Sequence, residues 1–344
     1  MTSISIRDWI SKNGVEYMPI KDPEDIQMRL PKMYRTEDMW IWEEYIKYFK
    51  NGGTTIKTSP QYVGITKNLK CCSDGGVMHE YGYITGFEGG YDHRIASHFH
   101  NPCVNLVDHW SGINYWHWIT TSLARLYMVQ KINGFHCRNY FYIVNSLKNG
   151  FVRDSLARFG ISPEQCIETP EGTGTLCDNL ILPSKLYDVD NDAIRYLREF
   201  LRQPTSNSKR KIYISRDATR KILNESQVME VLSKRGFEKV RCESISFSDQ
   251  VSLFSDASVI VGPHGAGMTN ILFAQDNAKV MEIRNRTYHG PCYYQLCDKL
   301  GFDYYNLYGT GHEIKSFRES SSDLYGNITV DMVNLINTLD MMDV

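Results

Sequence analysis

The sequence predicts an α/β chain of two lobes, and three observations predict it. The 344 residues suffice for two domains at roughly 100–200 residues each. From residue 211 onward, short apolar runs alternate with amphipathic stretches, the pattern of a parallel, doubly wound sheet. Before that, residues 59–105 interrupt short apolar runs with Gly-rich and polar turns, the pattern of antiparallel strands or hairpins. The lobes are expected at 1–183 and 184–315, with a helical tail at 316–344 packing back on the first lobe.

The elements follow in order. A helix is expected at 37–49, then strands at 62–65 and 77–83. A helix at 115–130 presents Trp118, Leu123, Leu126 and Val129 on a buried face. A strand at 141–144 precedes a helix at 151–159, which Gly160 stops. Strands at 166–168 and 180–182 complete the first lobe. The helix at 190–203 carries Ile194, Leu197, Phe200 and Leu201 on one side, with Asp188 and Asp190 as capping residues. The second lobe reads as strand 211–215, helix 224–235 ending at Gly236, strand 240–242 and helix 248–255 capped by Ser248 and Asp249. It continues with strand 259–262, helix 268–273, strand 280–283, helix 293–300 and strand 302–307. A helix at 330–339 closes the chain.

Composition excludes several function classes. A net charge of -2, with Lys209–Lys211 as the densest basic run, leaves nothing to track a nucleic-acid backbone. No run of about 18 apolar residues occurs, so no membrane-spanning helix is expected. The N-terminal residues lack a basic region followed by an apolar one, so a cytoplasmic protein without a leader is expected. Nine scattered cysteines without a CxxC pair suit reduced thiols better than a disulfide framework or zinc. His98 and His100 would share one face of a strand. Without a nearby carboxylate or cysteine set, no metal site is expected there.

The strongest signal is VIVGPHGAGMTNILFA, residues 259–274: a strand, a glycine-rich turn and a helix start. Gly262, Gly265 and Gly267 let the backbone approach a ligand closely. The N–H groups of Ala266, Met268 and Thr269 at the helix start suit an anion, and a diphosphate is the natural occupant. His264 would add a hydrogen bond or charge to the leaving phosphate. The spacing is neither GxGxxG nor a P-loop, since no GK[ST] follows. Upstream, YISRDATRKILNE ends a strand at Ser215 and Arg216, with Arg220 four residues on. Both guanidinium groups suit phosphate oxygens. Glu282 closes the 280–283 strand, where a carboxylate would accept ribose hydroxyls.

The run SR-x-x-x-R-K-I-L-N-E, the later VGPHGAGMTN-x-x-FA and the strand ending in Glu resemble glycosyltransferase family 61. INYWHWITTSLARL, residues 113–126, resembles that family's NYYHWLLDxLPRL pattern. The resemblance implies a GT-B type α/β fold: two Rossmann-like lobes with a cleft between them, the first carrying extra antiparallel strands. It implies inverting transfer of a sugar, of the xylose or N-acetylglucosamine class, from a UDP-sugar to a hydroxyl of a glycan or polysaccharide, as in polysaccharide biosynthesis. No cofactor is required on this reading. Ser215, Arg216, Arg220, Gly262, His264, Gly265, Ala266, Gly267, Met268, Thr269 and Glu282 fall on the donor side, and His117 on the first-lobe histidine.

One departure bears on catalysis. The family pattern carries an acid four residues after the histidine, and here that position is Thr121. Inverting transfer needs a base for the acceptor hydroxyl. His117 itself is the first candidate and Asp108, in the VDHWSG loop, the second; His109 lies beside it. The alternative is a catalytically inactive nucleotide- or sugar-binding protein that keeps the fold. An epimerase or dehydrogenase would need a GxGxxG turn and a Ser/Tyr/Lys set, and neither is evident.

Overall fold

A computed structural model describes residues 4–5, 12, 16–26, 30–49, 56–57, 60–79, 82–85, 94–186, 190–206, 208–288, 290–310 and 325–344. Asp188, residues 80–81 of the 77–83 strand and residues 316–324 of the tail therefore lie outside the described residues. The chain forms two compact units, Met1–Glu24 with Thr58–Leu201 and Asp25–Lys57 with Arg202–Val344. Both are mixed α/β.

The first unit is built on a ten-stranded sheet. Its antiparallel part centres on Gln61–Cys72, which pairs with Thr173–Pro183 from Gly174 opposite Cys72 to Pro183 opposite Val63. Its parallel part runs Cys103–Asn105, Phe141–Val144, Cys166–Glu168, in that spatial order. The helical segment 115–129 and the helix Gly150–Arg158 connect these three strands, as a βαβ pattern requires. Gly160, with φ of 73°, supplies the left-handed residue that stops the second helix. Leu69, Val107, Ile143 and Leu180 join one core. The segment 115–129 is not a uniform helix. Tyr115–His117 is α-helical, Trp118–Ser122 forms a π turn, and Leu123–Arg125 tightens to 3-10 before Leu126–Val129. Asn114 caps its start, its Oδ1 accepting from the N–H groups of Trp116 and His117.

The second unit is a five-stranded parallel sheet in the order Phe237–Val240, Arg210–Ile214, Ala257–Pro263, Lys279–Arg284, Asp303–Tyr308. In sequence terms this is 2-1-3-4-5. The order reverses between Arg210–Ile214 and Ala257–Pro263, the position where open α/β sheets bind ligands.

Four expectations are corrected here. The strand expected at 240–242 is Phe237–Val240, because Gly236 ends the preceding helix and the strand starts at once, pairing Lys211 with Phe237 and Ile214 with Val240. The helix Phe247–Ser255 is capped by Ser246, whose hydroxyl accepts from the Asp249 N–H and donates to its carboxylate, rather than by Ser248 and Asp249. Residues Ala266–Phe273 wind as 3-10 rather than α-helix. The tail helix is Met332–Met341, capped by Asp331, and its buried face belongs to the second unit rather than the first. Leu335, Leu339 and Met342 pack with Val228, Leu232 and Leu307. Burying each such side chain stabilises by about 1.5–3 kcal/mol, which fixes the helix there. Asp190 does cap its helix, accepting from the N–H groups of Asp192 and Ala193. Among the described residues, no helix is long and apolar enough to cross a membrane.

Candidate active site

The carboxyl ends of the two strands at the reversal bring separate sequence signals together. Ile214 leads into Ser215 and Arg216, and Pro263 leads into His264 and Gly265. Ser215 is fully buried, its N–H donating to the Val240 carbonyl and its hydroxyl to Glu225 at 2.6 Å. It shapes the strand end, and its hydroxyl is already engaged. Arg216 donates to the Thr219 carbonyl at 3.0 Å and lies directly over Gly265, where a Cβ would overlap its guanidinium. Glycine at 265 is thus a requirement of close approach. Gly262 is needed for a like reason, since a Cβ there would stand 2.9 Å from the Ile214 Cβ.

Arg220 takes a left-handed φ of 55° and donates its N–H to the Tyr325 carbonyl. Its guanidinium lies 5.3 Å from the Tyr288 ring centre and 5.5 Å from that of Tyr325, and its Nε is buried without a hydrogen-bond partner among the described residues. Burial first, and then the charge of Arg220, pull the Arg216 pKa down from its ordinary value. Arginine nonetheless stays charged. Two half-buried like charges therefore lie within electrostatic reach of one another at the switch point, and an anion would relieve both. Ala266–Phe273 begins beside them, and its N-cap, Gly265, has no side chain to satisfy the first N–H groups. Ala266 and Gly267 are half-buried. Met268 and Thr269 are fully buried, and the Met268 N–H already donates to the Gly265 carbonyl, so Ala266 and Gly267 are the residues placed to offer N–H groups to a ligand.

His264 is 4% exposed and sits between Tyr288 and Tyr293, with ring centres 4.1 and 5.0 Å away. Its Nδ1 faces a carboxylate oxygen of Glu282. The second oxygen of Glu282 accepts from the Tyr304 hydroxyl, and Arg284 stands 4.0 Å from it. Glu282 is therefore not an open strand-end acid. It lies inside the strand Lys279–Arg284, opposite Gly262 and Asn306, fully buried, with both oxygens engaged. Burial would raise its pKa, but the Arg284 charge, then His264, outweigh burial and hold it below the usual range. Burial pushes the His264 pKa down to about 4, Arg284 and Arg220 add to this, and Glu282 opposes it. At neutral pH the imidazole is thus uncharged. An ionised Glu282 needs a donor, which assigns the proton to Nδ1 and leaves Nε2 as an acceptor.

Arg284, Tyr288, Tyr293 and Tyr304 were not read from the sequence. Arg284 donates to the carbonyls of Tyr288 and Gly290, and the Tyr293 hydroxyl donates to the Gly265 carbonyl at 2.7 Å, pinning the turn. One signal was present: Arg284 is two residues from Glu282, hence on the same strand face.

The first-unit candidates stand as follows. His117 is half-buried in the first turn of its helix, before the π turn that contains Thr121. Thr121 is 7% exposed. Asp108 is 2% exposed, 3.2 Å from Lys185 and 3.6 Å from Arg125. Burial would raise its pKa, but Arg125 and Lys185 outweigh burial and hold the carboxyl below its usual range. Such a carboxylate is a weak base at neutral pH. His109 is exposed, edge-on to Trp110. Far along the sequence, Asp178 stands against both His98 and His100, so the reading that no carboxylate accompanies that pair is corrected. It lies 78 residues from His100 and reaches it only through strand pairing.

Comparison with known proteins bears on what this arrangement is. Residues 115–281 match the family model described as Glycosyltransferase 61. The EGF domain-specific O-linked N-acetylglucosamine transferase of Drosophila melanogaster is 24% identical over 177 residues, 44% of this chain and 34% of that protein. The β-1,2-xylosyltransferase of Arabidopsis thaliana is 36% identical over 64 residues, 19% of this chain and 12% of that one. The EGF domain-specific transferase of Mus musculus is 32% identical over 90 residues, 25% and 17% of the two chains. The chain thus spans 34% or less of the length of these relatives. His117, the paired arginines and the His264 turn all lie inside the matched stretch, which is similar to glycosyltransferase family 61.

Proposed function

We propose that this protein is an inverting glycosyltransferase on a scaffold of the GT-B type. It would move a sugar of the xylose or N-acetylglucosamine class from a UDP-sugar to a hydroxyl of a glycan or polysaccharide. The observation that carries the reading is the charge of Arg216, seated on the bare face of Gly265 and within electrostatic reach of Arg220. That is a socket for a diphosphate. The two guanidinium groups and the first N–H groups of Ala266–Phe273 take up the negative charge that grows on the leaving diphosphate. They supply the charge that a divalent cation would otherwise provide, so transfer is expected to persist in chelator. The Glu282–Arg284 pair holds the His264 ring, and its Nε2 accepts from a donor hydroxyl. His117 takes the acceptor proton, since Asp108 is committed to Arg125 and Lys185.

Titration calorimetry with UDP in chelator tests the socket. A hydrogen bond to a charged group is worth about 1.5–3 kcal/mol, so Arg216→Ala and Arg220→Ala should each weaken UDP roughly 10- to 100-fold. If no UDP-, GDP-, CMP- or dTDP-sugar shifts the melting temperature, the reading falls. Thr121 favours a second reading, a nucleotide-binding protein without turnover. UDP-sugar hydrolysis separates the two. A base at His117 predicts a loss of about 10²–10⁴-fold in His117→Ala with UDP affinity unchanged. Binding without any hydrolysis by the wild type selects the second reading.

A further inference from the structure

Three first-unit side chains outside the proposed donor and base groups converge on one spot. His98 lies in the strand Arg94–Phe99 and His100 just beyond it, so both project from one face of the chain. Phe99, between them, packs against the unit's core. The strand Thr173–Pro183 runs parallel alongside, with Leu176 opposite His98 and Cys177 opposite Phe99. Cys177 is fully buried, so its neighbour Asp178 points to the histidine side. His98 Nε2 lies 2.5 Å from one Asp178 oxygen and His100 Nδ1 lies 2.7 Å from the other. The two imidazole rings are 4.5 Å apart between centres.

We infer that His98, His100 and Asp178 form a surface site for one divalent transition-metal ion of the zinc or nickel class. The ligands are His98 Nε2, His100 Nδ1 and an Asp178 oxygen, and water completes the shell. Two imidazoles with one carboxylate suit Zn²⁺, Ni²⁺ or Cu²⁺; Ca²⁺ and Mg²⁺ prefer all-oxygen shells. A tetrahedral site with bonds of about 2.0–2.1 Å sets its donor atoms roughly 3.3 Å apart. One donor atom from each of the three residues already lies within 4.8 Å of the others, so small side-chain rotations close the distance. His100 has 75% of its side chain exposed, which leaves an open approach for the ion and its water. The ion displaces any proton on His98 Nε2 or His100 Nδ1, and each neutral ring keeps its proton on its other nitrogen.

The position gives the ion a structural consequence. Phe99 pairs with Cys177, and Cys103 next pairs with Leu180. His100 and Asp178 lie in the gap between those two pairings. A bound ion fastens the chain to its neighbour across that gap and raises the stability of the folded state by mass action.

The test uses the full chain, stripped with chelator and dialysed, then titrated with Ni²⁺ and with Zn²⁺. The expected result is one ion per chain and a higher melting temperature. His98→Gln, His100→Gln and Asp178→Asn should each weaken the ion by more than about a hundredfold, beyond what loss of an outer-shell partner of a metal ligand costs. Each should also erase the thermal shift. Nine free cysteines are rival ligands, so the Co²⁺ spectrum of the wild type is the second measurement. Nitrogen and oxygen ligands give no thiolate charge-transfer band. A strong thiolate band, no saturable binding, or unchanged binding in all three variants would overturn the inference. Should a variant fail to fold, the wild-type stoichiometry and spectrum still decide.

Discussion

Gly265 is the residue at which one methyl group tests the donor socket. A Cβ there overlaps only the tip of Arg216, a flexible side chain, and the backbone is extended with φ of 163°. Gly265→Ala should leave stability within about 1 kcal/mol of the wild type while weakening UDP about tenfold. In an Arg216→Ala background the same change should cost almost nothing further, because the two positions act through one contact. Additive losses in calorimetry would refute the contact. His264 carries a second prediction at this scale. Its pKa falls from 6.5 to about 4 on folding, so the unfolded chain binds a proton that the folded chain refuses between those values. Stability is therefore lost as pH falls from 6.5 towards 4, by up to about 1.4 kcal/mol per pH unit. Glu282, depressed as well, adds its loss only at the acid end, as pH falls through its folded value. In urea titrations at several pH values, His264→Asn should flatten the slope between pH 6.5 and 4.5; an unchanged slope assigns it to other groups. The socket residues were legible in the sequence because they sit in two short runs. Tyr288, Tyr293 and Tyr304 were not, because the first two meet His264, and the third meets its partner Glu282, only once the following loop, helix and neighbouring strand are folded.

The strand Lys279–Arg284 shows what periodicity can and cannot reveal about an element. Its burial made it recognisable as a strand inside a parallel sheet, and the same burial hid the role of Glu282, which reads in sequence like an exposed strand end. Glu282 and Arg284 are two residues apart on one face and both fully buried, with the Trp42 ring 5.0 Å from the guanidinium. Removing one charge strands the other. Glu282→Gln should destabilise by roughly 3–5 kcal/mol, because Arg284 then lies buried without its counter-charge. Glu282→Gln with Arg284→Met should recover part of that loss in the same denaturation experiment. A double variant no better than the single one would show that the pair is not what the buried carboxylate serves. Element ends were less legible than element types. Ser246 rather than Ser248 caps its helix because a cap depends on which hydroxyl meets the third N–H, and both are serines one turn-start apart. The π turn at Trp118–Ser122 leaves no trace in apolar spacing, since one extra residue in a turn shifts the pattern by less than its own scatter.

At the scale of the whole molecule, the second unit is assembled from two stretches far apart in sequence, Asp25–Lys57 and Arg202–Val344. Nothing local announces this, because residues 25–57 carry an ordinary amphipathic helix and partners such as Arg286 lie as far as 248 residues from Asp38. The contacts that secure them are specific. Lys32 donates its N–H to the Tyr304 carbonyl and accepts from the Asn306 N–H, which covers the outer edge of Asp303–Tyr308. Asp38 and Arg286 form a buried pair at 2.9 Å, and Trp42 packs on Tyr294 and Tyr304, with ring centres 5.2 and 6.2 Å away. Without 25–57, a fragment 202–344 would carry an unpaired Arg286, an uncovered Arg284 and an open strand edge at once. Losing a buried ion-pair partner alone costs about 3–5 kcal/mol, a large part of the roughly 5–15 kcal/mol that holds a domain folded. The fragment should therefore lack a cooperative thermal transition, although it contains every socket residue. Adding a peptide of residues 25–57 in trans should restore the transition, with a midpoint that rises with peptide concentration. A peptide carrying Asp38→Asn and Trp42→Ala should restore less at equal concentration. If the fragment melts cooperatively by itself, residues 25–57 are an accessory to the unit rather than part of its core, and the buried Asp38–Arg286 pair contributes little to its stability.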